Sequence, residues 1–112
     1  MSRIIRALFV LVCPIVLLAQ ESVTLSGQLL DQETQEPLPF ANVAVHQFED
    51  DALVSGAISN ETGRFEILEL PFGKYRLYFS FLGFETTERT LVAGGLNTIF
   101  DFGEIELAPS AL

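Results

Sequence analysis

The chain has 112 residues, with six basic and 15 acidic side chains and a formal net charge of −9 at pH 7. Its length allows one domain with a single core and not two. The acidic surplus excludes nucleic-acid binding and attachment to anionic lipid, because such a surface repels phosphate groups.

Residues 1–20 are predicted to be a signal peptide. Arg3 and Arg6 give a basic start, residues 7–19 are apolar, and Ala19 puts a small residue at the expected cleavage site. This apolar stretch is too short to cross a bilayer, which takes about 20 residues. Cys13, the single cysteine, lies in this segment without the small preceding residues of a lipoprotein site. We therefore expect an exported protein that is periplasmic, associated with the outer membrane, or secreted.

The predicted mature domain, residues 21–112, has four basic and 15 acidic groups, a formal charge of −11, and no cysteine. It must fold without disulfides or cysteine-bound metal. Apolar residues recur at every second position and no helical period is sustained, so the pattern predicts strands. The first covers residues 23–29, and the next covers residues 41–46. Between them, the polar and proline-rich residues 31–39 are predicted to loop across the end of the domain.

The middle of the chain predicts two further strands, at residues 53–59 and 64–68. Between them, Asn60-Glu61-Thr62-Gly63 has the composition of a four-residue hairpin loop. Gly63 is the residue best suited to a positive φ in such a loop.

The segment after residue 70 predicts a tyrosine corner followed by a central strand. Pro71 and Gly73 mark a tight entry, and Tyr75 begins a strand that is predicted to cover residues 75–82 with apolar side chains on both faces. We expect the Tyr75 ring to be buried and its hydroxyl to donate a hydrogen bond to a backbone carbonyl upstream. Gly73 allows the chain to approach the ring closely.

Two more strands, at residues 86–92 and 98–107, bring the predicted number to seven. Seven short strands without a strong helix predict an all-β fold, a seven-stranded antiparallel Greek-key β-sandwich. Nine phenylalanines remain once the signal peptide is removed. We expect them to fill the core in place of disulfides, each buried ring contributing about 1.5–3 kcal/mol.

Three blocks in order resemble the carboxypeptidase-regulatory-like domains, which have a prealbumin-like (transthyretin-like) fold. The first is Gly27-Gln28-Leu29-Leu30-Asp31 with residues 34–43, the second is residues 59–65, and the third is residues 70–84. The resemblance covers about residues 22–108. Gln35 departs from the family, which usually has a glycine at this turn. The structural positions that the blocks indicate are Gly27, Pro37, Gly63, Phe65, Pro71, Gly73, Tyr75 and Gly83.

The resemblance implies a non-catalytic accessory module with no cofactor and with a protein partner, a receptor or another cell-surface component. Similar domains occur beside metallocarboxypeptidase catalytic domains, in cell-surface proteins, and at the N-terminus of TonB-dependent outer-membrane receptors. We predict the receptor-associated kind, which would bind through exposed strand edges and end loops. Two alternatives stay open: a regulatory accessory domain of a metallocarboxypeptidase-type enzyme, and a carbohydrate-binding module, although the chain has no tryptophan.

No catalytic constellation is indicated. His46 is the only histidine, whereas a catalytic zinc site needs three protein ligands, and no nucleophile elbow is present. The hydroxyisourate hydrolases that share the transthyretin-like fold use several histidines and a C-terminal tetrapeptide that this chain lacks. Glu49, Asp50 and Asp51 are the one metal candidate, a calcium loop, but three consecutive acids point in different directions.

Overall fold

The structure, a computed structural model, describes residues 21–110, and the predicted signal peptide lies outside them. Within these residues no helix has the length and apolar character that a membrane span requires. The described chain forms seven strands: β1 (Ser22–Asp31), β2 (Asn42–Gln47), β3 (Leu53–Ile58), β4 (Arg64–Pro71), β5 (Gly73–Ser80), β6 (Thr87–Ala93) and β7 (Ile99–Leu107).

The seven strands form two sheets, one of three strands in the order β4-β1-β7 and one of four in the order β3-β2-β5-β6. The predicted all-β, seven-stranded sandwich is confirmed. One pair departs from the antiparallel expectation, because β1 and β7 run parallel. β5 is central in its sheet, as predicted, but it ends at Ser80. Its outward face is not apolar, because it carries Lys74, which is exposed, and the half-buried Arg76, Tyr78 and Ser80.

The core between the sheets is mostly aliphatic. Alternate residues of β1, β2 and β5 are buried, so each of these strands has one face in the core. Only two of the nine phenylalanines, Phe65 and Phe79, are buried, and Phe40 is 63% exposed. Five more phenylalanines are partly buried and pack against the core from its margin, so the prediction holds in part, and leucine, valine and isoleucine fill most of the centre.

A bulge in β7 turns its apolar residues toward the core. The register with β1 shifts beside Gly27, and Gly103 has a φ of 68° there. One inserted residue changes which alternate positions face inward. Phe100 and Phe102 therefore pack against the core before the bulge, and Ile105 and Leu107 are buried after it.

The turn at residues 60–63 is not a hairpin, which corrects the prediction. The N–H of Asn60 donates to the Arg64 carbonyl at 2.8 Å, and Gly63 has the expected positive φ of 79°. However, β3 pairs only with β2, and β4 pairs only with β1. The turn therefore carries the chain from one sheet to the other, because local turn chemistry fixes a reversal of direction and not the partner of the next strand.

Candidate interaction surfaces

The tyrosine corner has the predicted geometry. The Tyr75 hydroxyl donates to the Pro71 carbonyl at 2.7 Å, and the residue is only 2% exposed. A Cβ on Gly73 would lie 3.2 Å from that hydroxyl oxygen, so the tyrosine occupies the space that the glycine leaves. Burial raises the pKa of the Tyr75 hydroxyl. The corner ties the end of β4 to the start of β5, across the two sheets.

Two other motif glycines allow close backbone approach. A Cβ on Gly27 would lie 2.7 Å from the Phe65 ring, so this glycine makes room for a core aromatic. A Cβ on Gly63 would lie 2.6 Å from the Leu29 carbonyl oxygen, and the Gly63 carbonyl accepts a hydrogen bond from the Leu29 N–H at 2.8 Å. Gly27 therefore lets the Phe65 ring of β4 pack on β1, and Gly63 lets the turn before β4 approach β1.

Two further motif positions, Pro37 and Gly83, lie in the segments between strands and make backbone contacts there. Pro37 forms an isolated bridge with Leu30, and the Gly83 carbonyl accepts from the Ser110 N–H at 2.8 Å. Gln35 has a φ of 64°, so this chain keeps a left-handed residue where related domains usually have glycine. Its side-chain amide donates to the Glu106 carboxylate at 2.9 Å.

Ser59 is a structural residue that the sequence pattern did not reveal. It is 1% exposed, and its Oγ accepts from the Ala41 N–H at 2.8 Å and donates to the Leu38 carbonyl at 2.7 Å. The serine thus satisfies two backbone groups of the loop before β2. A serine at the end of a strand carries no distinguishing signal, so only the structure shows this role.

The outward face of the four-stranded sheet carries a polar cluster around Asp51. The Tyr78 hydroxyl donates to Asp51 Oδ1 at 3.1 Å, and Arg76 Nη1 lies 3.8 Å from the same oxygen. Arg76 Nε also lies 2.9 Å from Glu88 Oε2. Desolvation, with the Asp51 and Glu88 carboxylates adding to it, raises the pKa of the Tyr78 hydroxyl. The His46 Nδ1 lies 2.8 Å from the Asp51 carbonyl oxygen, which can only accept, so Nδ1 is the protonated nitrogen.

The turn with Glu49, Asp50 and Asp51 does not gather its carboxylates around one point. Asp50 Oδ1 accepts from the Ala52 N–H at 3.0 Å, while the Asp51 carboxylate faces Tyr78. In residues 21–110 no three His, Cys, Asp or Glu side chains lie close enough together to hold a metal ion. This arrangement does not support the calcium hypothesis.

Each sheet leaves two strand edges free, and three of these four edges carry charged residues. β4 has Glu66 and Glu69, with a register shift against β1 and a proline at its end. β6 has Glu88 and Arg89. β7 has three acidic residues and the bulge at Gly103. Charges, bulges and prolines on an edge prevent another chain from pairing with it.

The fourth edge, β3, has none of these charges. Its sequence is Leu-Val-Ser-Gly-Ala-Ile, with no proline. The register with β2 shifts at Val54, so the irregularity lies near the beginning of the strand. Leu53, Val54 and Ile58 are 69%, 38% and 62% exposed. An open cavity of about 360 Å³ adjoins Ile58 and is lined on its other side by β1 and β4.

Comparison with known proteins matches most of the described residues to one family. The family model of the CarboxypepD_reg-like domain matches residues 25–107. No curated protein matches the chain.

Solved structures with a similar fold include two pilins and an enzyme. The major pilin subunit of Bacillus cereus has a TM-score of 0.67 at 13% identity, over 80% of this chain and 30% of its own. The backbone protein of group B streptococcus pilus 2b has a TM-score of 0.59 at 14% identity, over 80% and 42% of the two chains. The 5-hydroxyisourate hydrolase of Klebsiella pneumoniae has a TM-score of 0.58 at 24% identity, over 79% and 92%. The chain therefore spans less than half of either pilin, and these likenesses show the fold alone.

Proposed function

The chain belongs to the CarboxypepD_reg-like domain family, and from that premise we propose that it is an exported, non-catalytic module that binds or packs against another protein. The observation that carries the proposal is the use of its motif residues. Gly27, Gly63, Gly73 and Tyr75 all act in close packing or backbone hydrogen bonds. None of them presents a reactive group to solvent, so the motif supports a structural role and leaves the strand edges as the binding surface.

The surroundings of His46 also favour a module without bond chemistry. Its Nδ1 is hydrogen-bonded to the Asp51 carbonyl oxygen. Its ring packs edge-on against Tyr78, with 4.8 Å between the ring centroids. The hydroxyisourate hydrolase shares the fold, but this chain has one histidine, whereas a catalytic zinc site needs three protein ligands. Zinc analysis combined with a peptidase assay on the purified chain tests the enzymatic alternative. We expect neither bound zinc nor turnover.

Within this proposal, the setting that we favour is a TonB-dependent outer-membrane receptor system, with the module in the periplasm or at the outer membrane. The support is the family resemblance together with the predicted signal peptide at residues 1–20. The coding region around the gene tests this setting. A plug and barrel encoded in frame or next to the gene would support it, whereas the absence of such a receptor would favour a free-standing adaptor.

Photo-crosslinking from the strand edges tests the interaction function itself. A photoreactive amino acid is placed on each edge in the full chain, produced in its own cells, at Val54, Glu66, Val92 or Glu104. Leu96, a fully exposed loop residue, is the matched control. We expect a discrete protein adduct from at least one edge position and only background from Leu96. Equal background at all five positions would contradict an interaction function.

A further inference from the structure

We propose that the free edge of β3 accepts an extended apolar segment of a partner protein with lysine or arginine at its ends, which adds as a fifth strand to the four-stranded sheet. This inference rests on the proposed function and specifies the edge and the chemistry of the partner. It starts from the contrast among the four edges, since β3 alone has no charged residue. The only irregularity on this edge, at Val54, lies at the beginning of the strand, and an edge without charges or proline is one to which another strand can add.

The backbone of β3 presents hydrogen-bonding groups to an incoming strand. The Ser59 N–H donates to the Ala41 carbonyl at 2.9 Å, so these two residues form a hydrogen-bonded pair. Hydrogen-bonded and non-hydrogen-bonded pairs alternate along an antiparallel ladder. Gly56 and Ile58, which pair with Ala44 and Asn42, therefore direct their N–H and C=O groups away from β2. Residues 55–58 lie beyond the irregularity at Val54 and form a regular template.

The side chains along this edge favour an apolar partner. Leu53 and Ile58 are more than half exposed, and cross-strand apolar neighbours would cover them. The cavity of about 360 Å³ beside Ile58 is bounded by Phe65 and Glu66 of β4. A side chain of the added strand could fill this cavity, which gives the edge selectivity beyond backbone pairing.

Acidic groups at both ends of the edge set the charge of the partner. Glu49 and Asp50 precede β3 in the exposed turn, and Glu61 follows it. At that second end Glu61 and Glu66 outnumber the one basic residue, Arg64, which also lines the cavity. With a formal charge of −11 on residues 21–112, basic ends on the partner would be attracted and acidic ends repelled. A second copy of this chain fits less well, because antiparallel pairing of β3 with itself would bring the acidic turn of one copy toward Glu61 of the other.

A designed peptide tests the inference on the purified, exported chain. The probe is the fluorescein-labelled peptide KKVTVTVTKK, and binding is followed by fluorescence anisotropy at low salt. We expect Ile58→Lys to weaken binding at least about tenfold, because it puts a charge on the proposed edge. Ile99→Lys is the matched control, since Ile58 and Ile99 are 62% and 65% exposed and Ile99 lies on β7. Val54→Lys is a second variant of the same edge. Binding is compared only among variants whose thermal unfolding midpoint equals that of the parent chain.

Two altered peptides separate strand addition from simple charge attraction. Methylating alternate backbone nitrogens of the probe should abolish binding, and the glutamate-flanked peptide EEVTVTVTEE should bind at least about tenfold more weakly. No binding by the lysine peptide, equal binding by the methylated peptide, or a β3-dependent dimer in sedimentation velocity would overturn the inference.

The crosslinking result distinguishes this inference from the broader function. Adducts in cells from β4, β6 or β7 with none from Val54 would refute the β3 assignment and leave the interaction function standing. Peptide binding at β3 without any adduct in cells would refute the interaction function instead.

Discussion

Backbone polar groups are hydrogen-bonded within the domain at the tyrosine corner, whereas at the free edge of β3 some of them are open to another chain. At the corner, the Pro71 carbonyl is held by the Tyr75 hydroxyl at 2.7 Å. At the edge, the backbone N–H and C=O groups of Gly56 and Ile58 point away from β2, the one strand with which β3 pairs. The residues that identify the family close the backbone on itself, whereas the surface that is open to another chain carries no family motif. Recognising the family therefore locates the framework and not the binding edge.

The largest effect is expected at Ser59, whose buried hydroxyl satisfies backbone groups as the Tyr75 hydroxyl does at the corner. Ser59→Ala removes a buried hydroxyl and leaves the Ala41 N–H and the Leu38 carbonyl without their partner. We expect a loss of about 1–3 kcal/mol in the free energy of unfolding, measured by denaturant titration. Ser55→Ala, on the free edge, is the control and should change stability by less than about 0.5 kcal/mol. Equal losses for both variants would show that the buried Ser59 hydroxyl contributes no more stability than the Ser55 hydroxyl on the free edge.

The corner is tested next, by deleting one oxygen. Tyr75→Phe should cost about 1 kcal/mol, because the buried hydroxyl loses the Pro71 carbonyl and the ring stays in place. Tyr78→Phe is the matched control, since its hydroxyl donates to the exposed Asp51 carboxylate and not to a buried backbone group. It should cost less than the corner variant. A parent-like denaturant midpoint for Tyr75→Phe would show that the corner contributes no stability.

A smaller effect, of opposite sign, is expected at Gln35. Its φ of 64° is costly for a residue with a Cβ and free for glycine. Gln35→Gly should therefore stabilise the chain by about 0.5 kcal/mol after the entropic cost of glycine. Gln35→Ala keeps the strained φ, loses the amide contact to Glu106 and should be less stable than the parent. A destabilised glycine variant would mean that the side-chain contacts outweigh the strain.

The smallest effect concerns pH. Burial raises the pKa of Tyr75 in the folded chain, while an unfolded tyrosine ionises near about pH 10. Above that pH the unfolded chain binds fewer protons than the folded chain. Tyr75 therefore makes its full contribution to the free energy of unfolding below about pH 10, and this contribution falls as the pH rises. Tyr75→Phe should make this alkaline decline shallower in denaturant titrations. An unchanged slope would assign the decline to other groups.

The sequence predicted those parts of the fold that depend on neighbouring residues. Alternating apolar positions located all seven strands, and the Pro-x-Gly-x-Tyr pattern predicted the corner that the structure contains. The glycine at position 63 was likewise expected at positive φ, because few other residues tolerate it.

Long-range features could not be predicted in this way. The same turn at residues 60–63 would suit a hairpin, yet β3 and β4 lie in different sheets. The parallel pairing of β1 with β7, the bulge at Gly103 and the buried hydrogen bonds of Ser59 all depend on residues distant in sequence. The open edge of β3 belongs to the same class, since being an edge is a property of the sheet order.

Amide hydrogen exchange of the purified chain, with and without KKVTVTVTKK, tests the central claim most directly. We expect the amides of Gly56 and Ile58 to exchange rapidly in the free chain and to become protected when the peptide is bound. The amides of β4, β6 and β7 should be unchanged. Protection on one of those three edges, with Gly56 and Ile58 still exchanging freely, would contradict the assignment of β3 as the binding edge.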